Sequence, residues 1–262
     1  MTTTAMYDVL GPRSERRVRL VGRIGLAAAA IVGAALIYQL ASHHQLDPRL
    51  WKVLLDRDLM RTVLAGLVAT VQCALFAVVL SILGGILLAA LRLSENAVLR
   101  AIVRVWVEIF RGLPLLLLIF FIFLGAPRLG IVVPSFWALT LGISLYNSAV
   151  MSEIFRAGIV SLPKGQAEAA AAIGLRKAQT FRIVLIPQAV RIMLPALISQ
   201  LVTVLKETSL GFIIGYTELL RSGRIAVEYL GGQYAIPIYT LVAVVYLLVD
   251  TTLSRLARRI ES

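Results

Sequence analysis

Residues 62–91, TVLAGLVATVQCALFAVVLSILGGILLAAL, contain no aspartate, glutamate, lysine or arginine. A helix needs about 20 predominantly apolar residues to cross ~30 Å of hydrocarbon, and this run is longer than that. Only α-helices and closed β-barrels satisfy every backbone N–H and C=O inside lipid. A barrel strand would alternate apolar with polar over about ten residues, and no alternation is present here. The stretch therefore reads as a membrane helix. Working outward, residues 24–46, 112–127, 129–152 and 229–249 are also free of charge, and 192–217 is interrupted only by Lys206 and Glu207. The 112–127 run is short, so it either borrows its flanks or is a broken span. The expected fold class is an all-α polytopic membrane protein with about six transmembrane helices.

Composition points the same way. The chain is 59% hydrophobic and 15% charged, where soluble domains carry about 25% charged residues. A net charge of +12 raises the question of nucleic acid, but the distribution answers it. If the N-terminus is cytoplasmic, most of the 26 lysines and arginines fall on the inner side. They sit in the N-terminal tail, at Arg92, Arg100, Arg104 and Arg111, between Arg156 and Arg191, and from Arg255 onward. The positive-inside rule then fixes an N-in, C-in topology. The basic excess is mostly topology; the lipid bilayer is the partner of a membrane protein, and no nucleic acid is expected.

The first apolar run follows a basic start, as in a signal peptide, but its core is longer than the usual 7–15 residues. No soluble domain follows it for export, so it reads as a retained membrane helix. The single cysteine, Cys73, lies within a span and reads as a small buried apolar residue. His43 and His44 are adjacent and so do not share a helix face; no metal site is expected.

The organisation expected is residues 1–61 as a basic cytoplasmic tail, a first transmembrane helix and an extracytoplasmic segment, then residues 62–262 as the main transmembrane domain. Residues 1–23 read as a tail without regular structure. Within 42–61, Trp51, Leu54, Leu55 and Leu59 fall near helical spacing with charges between them, as in an interfacial helix. Gly66, Ala69, Ala77, Ser81, Gly84 and Gly85 either let helices approach closely or reflect the frequency of glycine in membrane helices. Pro114 suits the start of a helix, where no N–H is needed. Glu108 and Arg111, three apart, are expected to pair.

Residues 162–187, LPKGQAEAAAAIGLRKAQTFRIVLIP, break the apolar pattern. Pro163 fits a first helical position, and KGQAEAAAAI follows as good helix former. Gly174 falls where a left-handed C-cap would end that helix. LRKAQTFRIVLI restarts an amphipathic helix, which Pro187 is expected to close. Two short exposed helices are marginal alone, and an alanine-rich face with one acid suits a groove on a partner protein.

Glu168-Ala169-Ala170, then Gly174, then Val184-Leu185-Ile186-Pro187 resembles the EAA loop of ABC importer permeases. The family pattern has isoleucine and leucine where this chain has Val184 and Ile186. The resemblance spans about residues 62–260 and includes VEIFRGLPLLL, YNSAVMSEIFRAGIVSLPKGQ, LPALISQLVTVLKETSLGFIIGYTELLRSG and the closing LARRIES, all similar to the polar amino-acid branch of these permeases. Leu113 stands where the family usually has threonine. The helix near 24–41 is extra to a five-helix type I core, and glutamate-uptake permeases share a similar extension.

The resemblance implies that the loop, at about 161–188, docks into a cleft on a cytoplasmic ABC ATPase dimer. Glu168 would make the polar contact, Ala169, Ala170 and Pro187 would belong to the docking segment, and Gly174 would set the angle between the two helices. It also implies a second permease subunit (a homologous chain or a second copy), an extracytoplasmic amino-acid-binding protein, and location in a prokaryotic cell membrane. This chain lacks a G-x-x-x-x-G-K-[ST] loop, so it is not expected to be an enzyme. No cofactor is expected on it, ATP being bound by the partners.

Lys206 and Glu207 sit within an otherwise apolar run, where a charge costs at least ~2.5–3.5 kcal/mol at the bilayer centre. Adjacent residues project about 100° apart on a helix, so they need not neutralise each other. LKETSLG reads either as a break lining a substrate path, with Pro195, Gly211 and Gly215 permitting bends, or as an outer-end pair reaching the headgroups. Asn147 and Tyr146 are further pathway candidates. The function these features imply is ATP-driven import of a polar amino acid by alternating access, glutamate or a related substrate favoured. An ion-coupled secondary transporter or channel is the alternative; it would show inverted repeats, and none is visible.

Overall fold

Aspartate, asparagine, glutamate and proline decide where most helices of the chain begin. Asp56 accepts the N–H groups of Asp58 and Leu59, both at 2.9 Å, and starts α3 (Arg57–Arg92). Asn96 does the same for α4 (Ala97–Gly112) through Val98 and Leu99. Such side chains satisfy N–H groups that lack an intrahelical partner. Pro114, Pro134 and Pro163 immediately precede α5 (Leu115–Phe120), α6 (Ser135–Val160) and α7 (Lys164–Ala172). The helices that follow are α8 (Lys177–Gln179), α9 (Ile186–Glu207), α10 (Leu219–Leu230) and α11 (Ala235–Glu261).

The computed structural model describes residues 12–261, in two units that divide between Val53 and Leu54. The first unit carries α1 (Pro12–Ser42) and a one-turn helix, α2 (Pro48–Trp51). Of the expected irregular tail, residues 1–11 lie outside the described residues, while 12–23 are helical and extend α1. The interfacial helix expected over 42–61 is reduced to α2 and a 3-10 turn, Lys52–Leu55. Its periodicity is overridden by two capping aspartates, Asp47 and Asp56, each of which starts a new helix.

Among the described residues, Leu20–Ser42, Arg57–Arg92, Lys177–Phe212 and Gly232–Arg255 are long and apolar enough to cross a membrane. The short run at 112–127 proves to be part of a broken segment: Ala97–Gly112 and Leu115–Leu129 meet at 100°. Proline is the cause, because Pro114 has no N–H to continue the ladder after Leu113 donates to Ile109 O at 3.0 Å.

The second unit is organised around α6, which packs against α3, α4, α5 and α9. Ser144, Asn147, Ser148 and Ser152 dilute its apolar content, yet all four are buried. Each serine hydroxyl donates to a carbonyl three or four residues back, as Ser144 does to Thr140 O at 2.6 Å. Membrane helices place polar residues against one another rather than against lipid, so the helix that carries these four side chains is the one enclosed by its neighbours. The α3–α6 contact explains the small residues of α3: a Cβ at Gly84 or Gly85 would lie 2.8 Å from the Cβ of Ser148 or Met151. Gly66 meets α10 in the same way, with Ser222 Oγ 2.3 Å from where a Cβ would stand. Cys73 is buried and free, near Thr140 of α6 at 3.4 Å.

Candidate functional site

The hairpin after α6 is built by a glycine. Gly174 has φ +84, a conformation open to glycine without Cβ strain. There, Gly174 N–H donates to Ala171 O (3.0 Å) and Leu175 N–H to Ala170 O (3.1 Å), the paired bonds of a Schellman cap. Ala170 is buried, so it faces the protein. Gly165, Glu168, Ala169, Ala172 and Ile173 are exposed, one stripe at i, i+3, i+4, i+7 and i+8. Ile173 is 79% exposed although it is large and apolar and ends an otherwise small-residue stripe.

Pro187 does not end the second arm of the hairpin. A π-helical segment, Thr180–Leu185, leads into α9, and Pro187 lies in the first turn of that helix. Ile186 N–H reaches back five residues to Phe181 O, so the local ladder is already widened where the proline supplies no donor. The arm and the span are one continuous stretch, Lys177–Phe212. Gln188 Nε2 ties it to the first arm, donating to Gln166 Oε1 at 3.1 Å and to Val184 O at 3.0 Å.

A second polar region lies between α6 and α9. Asn147 Nδ2 donates to Glu207 Oε2 at 2.6 Å and to Ile143 O at 3.0 Å, while Gln200 Nε2 donates to Asn147 Oδ1. Glu207 ends α9, and the chain tightens without a bend into a 3-10 segment, Thr208–Phe212. Lys206 points elsewhere: its Nζ is 3.0 Å from Asp250 Oδ2 of α11. The two neighbouring charges thus serve different helices. Lys206, Asp250, Ser209, Tyr239 and Tyr246 line a cavity of about 470 Å³. Tyr146 is half-buried and takes no part in the Asn147 cluster.

Gln200 and Asp250 had not been singled out from sequence. Gln200 lies seven residues, two helical turns, before Glu207, and Asp250 is the first charge after the 229–249 run; both spacings were available signals. Glu218 was also missed. It is fully buried, accepts Leu220 N–H, Arg221 N–H and Tyr246 O–H, all at 2.8 Å, and starts α10.

The expected Glu108–Arg111 pair is absent among the described ion pairs. Arg111 instead approaches Glu153 Oε1 of α6 at 3.5 Å. Glu153 is more enclosed than the exposed Glu108, and Arg92 and Arg156 bind the same carboxylate, Arg156 at 3.0 Å.

Residues 81–262 match the family model described as binding-protein-dependent transport system inner membrane component. The glutamate transport system permease protein GluD of Corynebacterium glutamicum is 40% identical over 85% of this chain and 82% of its own length. The probable glutamine ABC transporter permease protein GlnP of Bacillus subtilis is 39% identical over 75% of this chain and 90% of its own. A chain from a crystal structure of an amino acid ABC transporter with histidines superposes with TM-score 0.73 at 30% identity, covering 77% of this chain and 94% of that one.

Proposed function

The chain belongs to the binding-protein-dependent transport system inner membrane components, and we propose that it carries glutamate or a related polar amino acid into a bacterial cell, driven by ATPases docked on the 161–188 hairpin. At the coarser level it is a permease subunit of an ABC importer for amino acids, embedded in the bacterial inner membrane. ATP hydrolysis lies in partner subunits, and the family also works with a substrate-binding protein.

The observation that carries the proposal is the uncovered stripe of α7. Glu168, Ala169, Ala172 and Ile173 form an apolar, singly charged surface at the tip of a hairpin that is rigid at both ends. Gly174 fixes the angle of the first arm, and the second arm runs without interruption into a membrane span. Force applied at Glu168 would reach α9, and through it the Asn147–Gln200–Glu207 cluster, along packed helix. We place the substrate path at that cluster and at Lys206 and Asp250, with Tyr146 flanking it. An amino acid presents an ammonium and a carboxylate, and Glu207, Asp250 and Lys206 offer the opposite charges. The hairpin lies on the cytoplasmic side in an N-in, C-in topology, and a second permease subunit completes the path.

Reconstitution in vesicles with the ATPase and binding protein of its transport system tests this reading. ATP-dependent uptake of labelled glutamate or glutamine is expected, with none in the absence of ATP. A fully assembled, ATP-hydrolysing complex that takes up no polar amino acid would overturn it.

A further inference from the structure

The helix α4 has a role that neither the hairpin nor the polar cluster uses. Its inner face is Val103 and Val107, which pack with Ala149 of α6 and with Leu88 and Leu91 of α3. Those contacts fix its level. Leu91 is the last residue before Arg92, and Ala149 lies one turn before Glu153, so α4 rests where the apolar runs give way to charge. The 100° bend at Pro114 keeps α4 from continuing the line of Leu115–Leu129.

What remains of α4 is divided lengthwise. Val98, Ile102, Trp106 and Ile109 form an exposed apolar strip, with Trp106 stacked on Phe110 at 4.3 Å. The opposite side carries Arg100, Arg104, Glu108 and Arg111. An apolar strip beside a basic one on a helix lying at the boundary is the pattern of an interfacial helix. The neighbouring charge is unbalanced as well. Arg92, Arg111 and Arg156 share one carboxylate, Glu153, and Glu108 is the other acid on this face. Arg100 is committed to the end of α3 through Ser94 O and Glu95 O, and the Glu95 side chain is paired with Lys177. Arg104, exposed and in none of the described ion pairs, and the half-exposed Arg111 and Arg156 are left with cationic capacity to spare.

We propose that α4 is an anionic-phospholipid site: Arg104, Arg111 and Arg156 hold the headgroup phosphate, while Val98, Ile102 and Trp106 lie among the acyl chains. Charge complementarity selects lipid over a protein partner here, because the apolar strip and the cationic strip are arranged at the depth where a bilayer presents its own chains and phosphates.

Trp106 provides the readout. In the full transporter complex carrying Trp51→Phe and Trp137→Phe, Trp106 is the remaining tryptophan of this chain, and its emission is compared with that of the same complex bearing Trp106→Phe. Its quenching is measured in vesicles containing brominated phosphatidylglycerol or brominated phosphatidylcholine. Quenching by the anionic lipid is expected to exceed that by the zwitterionic one and to weaken with salt. Arg104→Gln is expected to lower the preference about fivefold; Arg111→Gln should do the same if its bond to Glu153 is not needed for folding. Equal quenching by the two lipids would overturn the proposal. So would absence of quenching by either, which would mean that a protein covers the strip, and so would an unchanged preference in Arg104→Gln.

Discussion

Replacing Glu168 with arginine is expected to reduce ATP-driven uptake to a few per cent of wild type or less. Glu168 is the one acid on the exposed stripe of α7, and its neighbours Ala169 and Ala172 are too small to keep a partner at a distance. Losing one member of a buried interfacial charge pair costs ~2–5 kcal/mol, and reversal adds repulsion. The side chain makes none of the described ion pairs within the protein and is exposed, so the substitution should leave folding intact, as judged by thermal unfolding in detergent. Gly174→Val tests the same hairpin through its backbone. At φ +84 a residue with a Cβ is strained by ~1–2 kcal/mol, and the loop opens to relieve it. Hydrolysis by the assembled complex should then lose its dependence on substrate. Uptake at wild-type level in both variants would remove the hairpin from the mechanism.

Glu207→Leu is the second large effect. A hydrogen bond to a charged group contributes ~1.5–3 kcal/mol, so uptake should fall about 10- to 100-fold if the carboxylate receives the substrate ammonium. Glu207→Gln separates charge from shape. It keeps an acceptor for Asn147 Nδ2, now 2.6 Å from Oε2, and should unfold at the wild-type temperature while still transporting poorly. If Glu207→Gln transports normally, the carboxylate is only a bond between α6 and α9, and the path lies elsewhere, with Lys206 and Asp250 the next residues to replace.

The helical membrane class could be read from residue type because it depends on local properties: a charge-free run leaves the backbone no other choice in lipid. The left-handed turn at Gly174 was equally local, since one residue's φ decides it. Long-range pairing was different. Nothing in the chain around Lys206 names Asp250 as its partner, and nothing around Asn147 names Gln200 and Glu207, because those contacts follow from how α6, α9 and α11 cross. Pro187 misled for a local reason of another kind. A proline ends a helix whose ladder is regular, but here a π segment had already shifted the bonding by one residue.

The docking role of the hairpin can be examined by a single chemical cross-link. Cys73 is fully buried, so Ala169→Cys adds an accessible thiol to a chain that otherwise has none on its surface. Treating the complex with a short bifunctional thiol reagent should join this chain to the ATPase from position 169. The control Leu55→Cys, 83% exposed and expected on the opposite side of the membrane, should give no such product. An active complex that forms no ATPase adduct at 169, or forms it equally from position 55, would contradict the docking of the ATPase on α7.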